Sequence, residues 1–290
     1  MLAALASGAC FGIVPYLVVQ LYQVGFTPLS VLVWRMGLSC LILLLALTMT
    51  FSEARKEWRD GWLLAFVGVL GAAQSYCFFM SIKFLPTSFA SLVFFLYPLA
   101  GIVIERLVFG TRITPAMAMA IPLITVGATL TLFPGFQGET YNWAGMSWVL
   151  PVPVLYAIYL SLSARTRLPQ HPISRALRLQ TGMVIGFLPL IILEGLQGPV
   201  NASEWIWVLS CAVFGGALGI SLFAYSVTRL GASVFGVVAA IELVTIVSLG
   251  IFVLRETVKT EQLVGILIIL FAIICSALQP RWLPTWRFWK

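Results

Sequence analysis

One carboxylate lies deep inside an apolar stretch of this chain. Glu242 stands within Val237–Val244, and no other charged residue occurs within ten positions on either side of it. A charge at the centre of a membrane-spanning helix costs about 2.5–3.5 kcal/mol on insertion scales, so it needs a function or a partner. Removal from water favours the neutral form of a carboxyl group, which can then take up and release protons. We therefore predict that Glu242 is a proton-coupling site or anchors a substrate ammonium group. The alternative is a structural residue, protonated or paired with an arginine.

A second charge lies within another apolar stretch. Arg35, in Val33–Gly37, stands about a third of the way into a predicted helix. Its guanidinium group matches the geometry of a carboxylate and is a candidate to bind one on a substrate. The side chain can equally snorkel towards the membrane surface or bind backbone carbonyl groups, and this structural role is the interpretation that we favour.

Neutral polar and aromatic side chains in other apolar stretches complete the candidate site. Helical spacing places Gln74 and Phe78 on one face of a helix, and Ser91 on a face of the next one. Tyrosine hydroxyls that face lipid would lack partners, so they are expected to face inwards. The set predicts an amphipathic cavity for a small molecule, although helix packing explains any single aromatic equally well. The predicted substrate-binding residues are Tyr16, Gln20, Arg35, Gln74, Phe78, Ser91, Tyr97, Tyr156, Tyr159, Gln180, Tyr225 and Glu242.

The composition is that of a membrane protein. Hydrophobic residues make up 61% of the 290 residues and charged residues only 9%, whereas a soluble domain has about 25% charged residues. No nucleotide-binding or esterase motif occurs, the five cysteines are scattered, and the one histidine, His171, has no ligands near it in sequence. A single aspartate and a single histidine leave an intramembrane enzyme without paired catalytic groups. The sequence therefore predicts no enzyme activity, no metal site, no cofactor and no nucleic-acid partner.

Apolar runs of about 20 residues are long enough to cross a bilayer as helices. Polar, charged or turn-forming segments separate them, among them Leu85–Thr87 and Arg229–Gly231. The pattern predicts an all-α polytopic membrane protein. Its ten transmembrane helices are expected at residues 2–22, 28–50, 61–83, 87–108, 113–133, 143–163, 173–193, 205–228, 231–253 and 261–279.

The basic residues predict how these helices are oriented. With the N-terminus in the cytoplasm, thirteen of the 17 basic residues lie in cytoplasmic segments, three in outer loops and Arg35 within a helix. This positive-inside pattern predicts that the N- and C-termini are both cytoplasmic, and it explains the net charge of +7 without an acidic partner. The thirteen are Arg55, Lys56, Arg59, Arg106, Arg112, Arg165, Arg167, Arg175, Arg178, Arg229, Arg281, Arg287 and Lys290.

The two halves of the chain are similar at a constant offset of 145 residues, which aligns residues 60–133 with residues 205–278. Residues 1–138 and 139–290 are therefore predicted to be two five-helix repeats. An odd number of helices in each repeat inserts the two repeats upside down relative to each other. The offset pairs Arg35 with Gln180, and Tyr97 with Glu242.

Short motifs in both halves are similar to those of a known family. An apolar segment with a proline, Phe95–Gly101, stands in the first half, and Val253–Thr257 followed by Glu261–Gly265 stands in the second. Arg35 also fits the pattern. With these residues, the whole chain resembles the EamA-type transporters of the drug/metabolite transporter superfamily. It departs from them at Thr111, where the family has a glutamate, and at Leu243, where the family has a proline.

The resemblance implies cytoplasmic termini, a central cavity between the halves, and export of small metabolites, often amino acids, across the inner (plasma) membrane of a bacterium. We predict a secondary-active exporter, with amino acids or related amphipathic compounds as the first candidates, that works by alternating access and is driven by protons through Glu242. The alternatives are an uncoupled facilitator or channel, and a lipid-moving protein of the same fold. The oligomeric state is left open.

Overall fold

The computed structural model describes residues 1–49, 62–108, 110, 122–127, 130, 142–166, 171–238, 241–255 and 260–277. The described residues form helices and their connections, with no strand among them, which confirms the all-α prediction. Most of the predicted span 113–133 lies outside the described residues, as do Thr111 and the basic residues of segments 55–59 and 281–290.

The helices follow the apolar runs of the sequence. In chain order they are α1 (Leu2–Gln23), α2 (Pro28–Met49), α3 (Trp62–Phe84), α4 (Thr87–Phe94), α5 (Tyr97–Leu107), α6 (Trp143–Val149), α7 (Val152–Arg165), α8 (Pro172–Glu194), α9 (Ala202–Ser210), a π-helical segment (Cys211–Leu218), α10 (Gly219–Val238), α11 (Ile241–Phe252) and α12 (Thr260–Ala277). Local signals set some of the ends. Gly195, at a φ of +76°, ends α8, and a capping box between Asn201 and Glu204 begins α9.

Seven helices in the described part of the chain are long and apolar enough to cross a membrane. They are Leu2–Gln23, Pro28–Thr48, Trp62–Phe84, Phe89–Leu107, Trp143–Arg165, Pro172–Glu194 and Ala202–Leu230. Ile241–Phe252 and Leu263–Ala272 are shorter apolar helices. The chain is therefore a multi-pass membrane protein, whereas the total of ten spans and their orientation stay predictions.

Prolines divide some of the predicted spans. Pro98, in the first turn of α5, has no N–H to donate to the carbonyl group of Phe94, and its ring crowds that carbonyl group. The helix accordingly stops at Phe94 and resumes at Tyr97. The predicted fourth span thus consists of two half-helices, and Tyr97 is the first residue of the second one.

The break that the sequence predicts at Arg229–Gly231 is absent, because α10 continues from Gly219 to Val238. The corresponding break in the first half is present, since α3 ends at Phe84 and α4 begins at Thr87. Pro86 causes that break, and the offset of 145 residues places Gly231 at the equivalent position. A glycine inside a helix costs only about 1 kcal/mol, whereas a proline costs about 3 kcal/mol, so the helix passes through glycine.

Helix pairings recur between the two halves of the chain. Helix α8 packs against α3, where Gly68 and Gly182 bring the two backbones together, and α2 packs against the π-helical segment, where Gly216 meets Ser39. In the same way, α1 packs against α10 and α11, and α7 packs against α3 and α5. The offset of 145 residues relates each of these pairings to another one, and the division of the chain into two five-helix repeats stays a prediction. The early helices of each half thus pack on the other half and enclose a shared centre.

Two of the arginines that the sequence analysis counted as cytoplasmic fall within the predicted span 173–193, and the structure places them in a helix. Arg175 and Arg178 belong to α8 and are buried, at 1% and 2% exposure. The two terminal nitrogens of Arg175 donate hydrogen bonds to the carbonyl groups of Ser163 and Thr166, at 2.7 and 2.8 Å. These carbonyl groups end α7 and have no partners within that helix, so the arginine satisfies them. Arg178 lies over the ring of Trp62, 4.6 Å from its centre.

Candidate functional site: a central cavity with two opposite charges

A cavity of about 90 Å³ lies where the two halves of the chain meet. Helices α1, α2, α3, α4, α7, α8, α10 and α11 all contribute to its wall. The lining residues are Phe11, Val14, Pro15, Arg35, Gln74, Ser75, Phe78, Phe79, Phe94, Tyr156, Tyr159, Met183, Ile220, Phe223 and Glu242. The wall is mainly aromatic and apolar, with a small number of polar groups, as is usual for small-molecule sites.

Arg35 and Glu242 face this cavity without forming an ion pair. Within the described part of the chain, neither side chain has an oppositely charged partner within 4 Å, and the only contact between them is a longer-range electrostatic one. Both are surrounded by apolar groups, where an uncompensated charge is costly. The pair therefore offers a cationic and an anionic group that a ligand in the cavity can satisfy together.

Arg35 is held against bare backbone. Its side chain is 7% exposed, and its guanidinium carbon lies 5.2 Å from the centre of the Phe79 ring. Gly215 lies beside the arginine, since a Cβ there would meet Cδ and Cζ of Arg35 at ordinary contact distances of 3.4 and 3.5 Å, and it would lie only 2.6 Å from Cγ2 of Val14, so the glycine lets α1 come close. Gly215 belongs to the π-helical segment, and such segments are frequent at functional sites. The Nε of Arg35 has no hydrogen-bond partner among the described residues.

Glu242 stands in the first turn of α11. Helix α1 approaches this turn closely at Gly12, where a Cβ would lie 2.6 Å from the Cβ of Thr245 and 2.9 Å from the carbonyl oxygen of Glu242. The position of Glu242 thus depends on a helix contact that only glycine allows.

An aromatic cluster covers the side of the cavity next to α4, α5 and α7. The Tyr156 ring lies 4.8 Å from those of Phe94 and Tyr97 and 5.9 Å from that of Tyr159. Tyr159 in turn stacks on Phe223, at 6.2 Å. Ring pairs at these distances and angles each contribute about 0.5–1.5 kcal/mol beyond the area they bury. The cluster links the two halves and gives the cavity a rigid apolar wall.

A glutamine and a serine supply the neutral polar groups on α3. Gln74 and Ser75 are 8% and 7% exposed and both line the cavity. The hydroxyl of Ser75 donates to Oε1 of Gln74 at 3.3 Å, which orients the amide. Gln74 makes no other hydrogen bond within the described residues, so the remaining capacity of its amide is available to a ligand.

Six of the twelve predicted substrate-binding residues line the cavity: Arg35, Gln74, Phe78, Tyr156, Tyr159 and Glu242. The other six lie outside its wall. Tyr97 is buried behind the wall, in ring contact with Tyr156, and Ser91 is fully buried in α4. Gln180 is fully buried and donates to Ser39 at 2.6 Å.

The remaining three predicted residues face other parts of the bundle. Tyr16 packs against Trp207, with 6.2 Å between ring centres, and Gln20 is half-buried. Tyr225 is 41% exposed, and the guanidinium group of Arg229 lies 3.7 Å from its ring centre. Their predicted role in substrate binding therefore has no support from contact with the cavity.

Several lining residues were not predicted from the sequence. Most of them are apolar, such as Phe11, Met183 and Phe223, and nothing in their sequence context separates them from residues that face lipid. Ser75 is different, because it directly follows Gln74, and a second polar residue in an apolar run was a usable signal.

Comparison with known proteins gives one family. The model of the EamA-like transporter family matches residues 1–133 and again residues 143–278. The transporter YyaM of Bacillus subtilis is 25% identical over 272 residues, which cover 88% of this chain and 87% of YyaM. The threonine/homoserine exporter RhtA of Escherichia coli K12 is 26% identical over 221 residues, which cover 75% of this chain and 72% of RhtA.

One solved crystal structure is similar to this chain, with a TM-score of 0.67 and 16% sequence identity. The alignment covers 96% of this chain and 96% of the chain in that crystal structure. At that identity, the likeness concerns the fold alone. The family model, in contrast, covers both halves of the sequence, and the named relatives are transporters and not enzymes. The protein therefore belongs to the EamA-like transporter family and is a multi-pass membrane transporter.

Proposed function

We propose that the protein exports small amino acids and that the central cavity binds the substrate as a zwitterion. The observation that carries this proposal is the unpaired placement of Arg35 and Glu242 in one cavity. A guanidinium group binds a carboxylate through paired hydrogen bonds, and a carboxylate binds an ammonium group. An amino acid supplies both partners on one carbon atom and so neutralises both charges that face the cavity.

The size of the cavity supports a small substrate. Drug-sized ligands occupy pockets of roughly 300–1,000 Å³, whereas this cavity has about 90 Å³. The relative RhtA is named a threonine/homoserine exporter, and both of those compounds are small amino acids. The identity of 26% leaves the substrate of the present protein to experiment.

Transport is proposed to proceed by alternating access. Residues 1–138 and 139–290 would form two inverted five-helix repeats that rock around the cavity, with ten spans and both termini in the cytoplasm of a bacterial cell. The recurrent helix pairings support this arrangement. Each contact between a helix of one half and a helix of the other has a counterpart in which the two halves change places. The inner membrane is the proposed location.

Protons are the proposed driving force. Glu242 is charged when it binds the substrate ammonium and neutral after it has taken up a proton, so the two cations compete for one carboxylate. An exporter that exchanges an inward-moving proton for an outward-moving amino acid needs no more than this competition. Glu242 is suited to it because its carboxylate faces the cavity and has no ion-pair partner among the described residues.

The test is counterflow in liposomes that contain the purified protein. Vesicles are preloaded with one unlabelled amino acid at high concentration, and uptake of the same labelled amino acid from outside is followed over time. Transient accumulation of the label above equilibrium identifies a carrier and its substrate. The proposal predicts accumulation for small amino acids and none for their decarboxylated amines, which cannot engage Arg35.

The other outcomes separate the alternatives. Equilibration without accumulation or saturation would indicate a channel, and accumulation that ignores an imposed pH gradient would indicate an uncoupled facilitator. Accumulation of the amine as well as the amino acid would indicate a carrier of organic cations. No movement of any amino acid, together with movement of a labelled phospholipid between leaflets, would indicate a lipid-moving protein.

A further inference from the structure

A zwitterion bound at Arg35 and Glu242 does not account for all the polar residues that line the cavity. If Arg35 and Glu242 bind the carboxylate and the ammonium group, the substrate side chain must face other lining residues. The rings of Tyr156 and Tyr159 belong to the aromatic cluster, where they lie 4.8 Å from the Phe94 ring and 6.2 Å from the Phe223 ring, respectively. Gln74 and Ser75 are the other polar residues of the lining.

The amide of Gln74 is a fixed hydrogen-bonding group in an apolar setting. Phe78, four residues later, lies on the same face of α3, and Gln74 is almost completely buried. Ser75 holds one end of the amide at 3.3 Å, and the other end has no partner within the described part of the chain. A polar group of this kind is costly to leave unpaired, so a ligand that pairs with it is favoured over one that does not.

We infer that Gln74 determines specificity by hydrogen bonding to a hydroxyl group on the substrate side chain, and that the transporter prefers small hydroxylated amino acids to their apolar isosteres. A hydroxyl both donates and accepts, so it pairs with whichever end of the amide faces the cavity. Ser75 is a positioning residue in this arrangement, because it acts on the substrate through Gln74. The inference rests on the proposed function, since it assumes a zwitterion at Arg35 and Glu242.

The physical basis is the asymmetry between polar and apolar recognition. An apolar pocket separates two isosteres weakly, whereas a site that must hydrogen bond to its substrate rejects the isostere that lacks the group. Threonine and valine form such a pair, because they differ in a hydroxyl and a methyl group of similar size. One unpaired buried amide corresponds to a preference for threonine of roughly tenfold or more.

The test measures competition in proteoliposomes. Counterflow of labelled threonine is inhibited with unlabelled threonine or with unlabelled valine. The half-inhibitory concentration of valine is divided by that of threonine, and this ratio is recorded for the wild type and for variants. Gln74→Met keeps the length of the side chain and removes the amide, so the ratio should fall to about one because valine improves relative to threonine. Ser75→Ala should give an intermediate ratio, since it frees the amide without removing it.

Tyr156→Phe is the matched control, because it removes a hydroxyl from another lining residue and keeps the ring. It should leave the ratio unchanged. The inference is overturned if wild-type protein does not distinguish threonine from valine, if Gln74→Met weakens both equally, or if Tyr156→Phe abolishes the preference. If the Gln74 variant does not fold, Ser75→Ala decides the matter, because an unchanged ratio in that variant would contradict the role of the amide that Ser75 positions.

The same data separate this inference from the proposed function. Equal competition by threonine and valine would leave the amino-acid transporter in place and remove the role of Gln74. Failure of both to compete, with protein that is folded and inserted, would reject the zwitterion site and this inference with it.

Discussion

The first turns of α5 and α11 occupy equivalent positions in the two halves of the chain, yet they differ in chemistry. Tyr97 begins α5, and Glu242, 145 residues later, lies in the first turn of α11. Tyr97 is buried in ring contact with Tyr156, whereas the carboxylate of Glu242 faces the cavity. Two positions 145 residues apart thus differ in their role, because Tyr97 supplies packing and Glu242 supplies charge. A symmetric scaffold can carry an asymmetric site, because side chains change more readily than helix pairings.

The same contrast holds for the second pair of equivalent residues. Arg35 faces the cavity, and Gln180 is buried against Ser39 behind it. Each half therefore supplies one charge: the first half the cation and the second half the anion. Variants that remove one of these two charges are the most direct test of the site.

Removal of the anion should have the largest effect. In Glu242→Gln, the side chain keeps its size but neither exchanges a proton nor pairs with a substrate ammonium group. We expect a pH gradient across the proteoliposome membrane to lose its effect on the rate of amino-acid transport. The measurement is uptake of labelled substrate with and without the gradient.

Glu194→Gln is the matched control for that experiment. Glu194 is an exposed carboxylate at the end of α8, where it accepts a hydrogen bond from Tyr76 at 2.6 Å, and it lies outside the cavity wall. It should retain a full response to the gradient. A retained response in Glu242→Gln itself would remove the coupling role.

Removal of the cation should have the next largest effect. Loss of one partner from a buried charge pair costs about 2–5 kcal/mol, so Arg35→Gln should raise the half-saturation concentration for an amino acid by roughly 30-fold or more. Arg229→Gln, which alters an arginine stacked on the exposed ring of Tyr225, should change it little. Equal affinity in Arg35→Gln and wild type would show that the substrate carboxylate binds elsewhere.

A smaller effect is expected from the helix contact that positions Glu242. In Gly12→Ala, the added methyl group meets Thr245 and the Glu242 carbonyl oxygen at 2.6 and 2.9 Å, so α1 must move away from α11. Overpacking of this kind costs about 1–3 kcal/mol. Thermal unfolding in detergent should show a lower midpoint for this variant.

Gly37→Ala is the control for this contact, because a Cβ on Gly37 meets no atom within 4 Å. A glycine in an open helical position is less stable than alanine by roughly 0.5–1 kcal/mol. The Gly37 variant should therefore unfold at the same temperature as wild type or a higher one. A lower midpoint for Gly37→Ala would show that the contacts around these glycines differ from those described.

The smallest effect is expected at the equivalent of Glu242. Tyr97→Phe retains the ring that packs on Tyr156 and removes only a hydroxyl. A single neutral hydrogen bond contributes about 0.5–1.5 kcal/mol, so transport should change by less than roughly tenfold. A loss as large as that of Glu242→Gln would mean that both halves supply chemistry at this position.

Much of the architecture was predictable because it depends on local sequence. Apolar run length identified the helices, and Pro86 correctly marked the end of α3. The prediction failed at Arg229–Gly231, where glycine stands in place of proline and α10 continues. The predicted span 173–193 included Arg175 and Arg178, but their charge gave no sign that α8 buries both side chains. Their partners are carbonyl groups and a ring on other helices, which no local pattern reveals.

The candidate site, too, was predictable only in part. The sequence by itself singled out Glu242 and Arg35, because a charge in an apolar helix is rare enough to be recognised without a structure. It also singled out Gln74, Tyr156 and Tyr159. It could not separate these from Tyr225 or Tyr16, because all are polar aromatic or amide residues in apolar helices.

Hydropathy and charge alone therefore determined that this chain is a helical membrane protein with two opposite charges in apolar helices. Only the tertiary structure decided that these charges share a cavity without pairing and that Gln74 and Ser75 join them there. The physical reason is that insertion cost is a property of each residue, whereas facing a common cavity depends on how helices from both halves pack. Here that packing rests on contacts such as those at Gly12 and Gly215, where the absence of a side chain lets neighbouring helices come close.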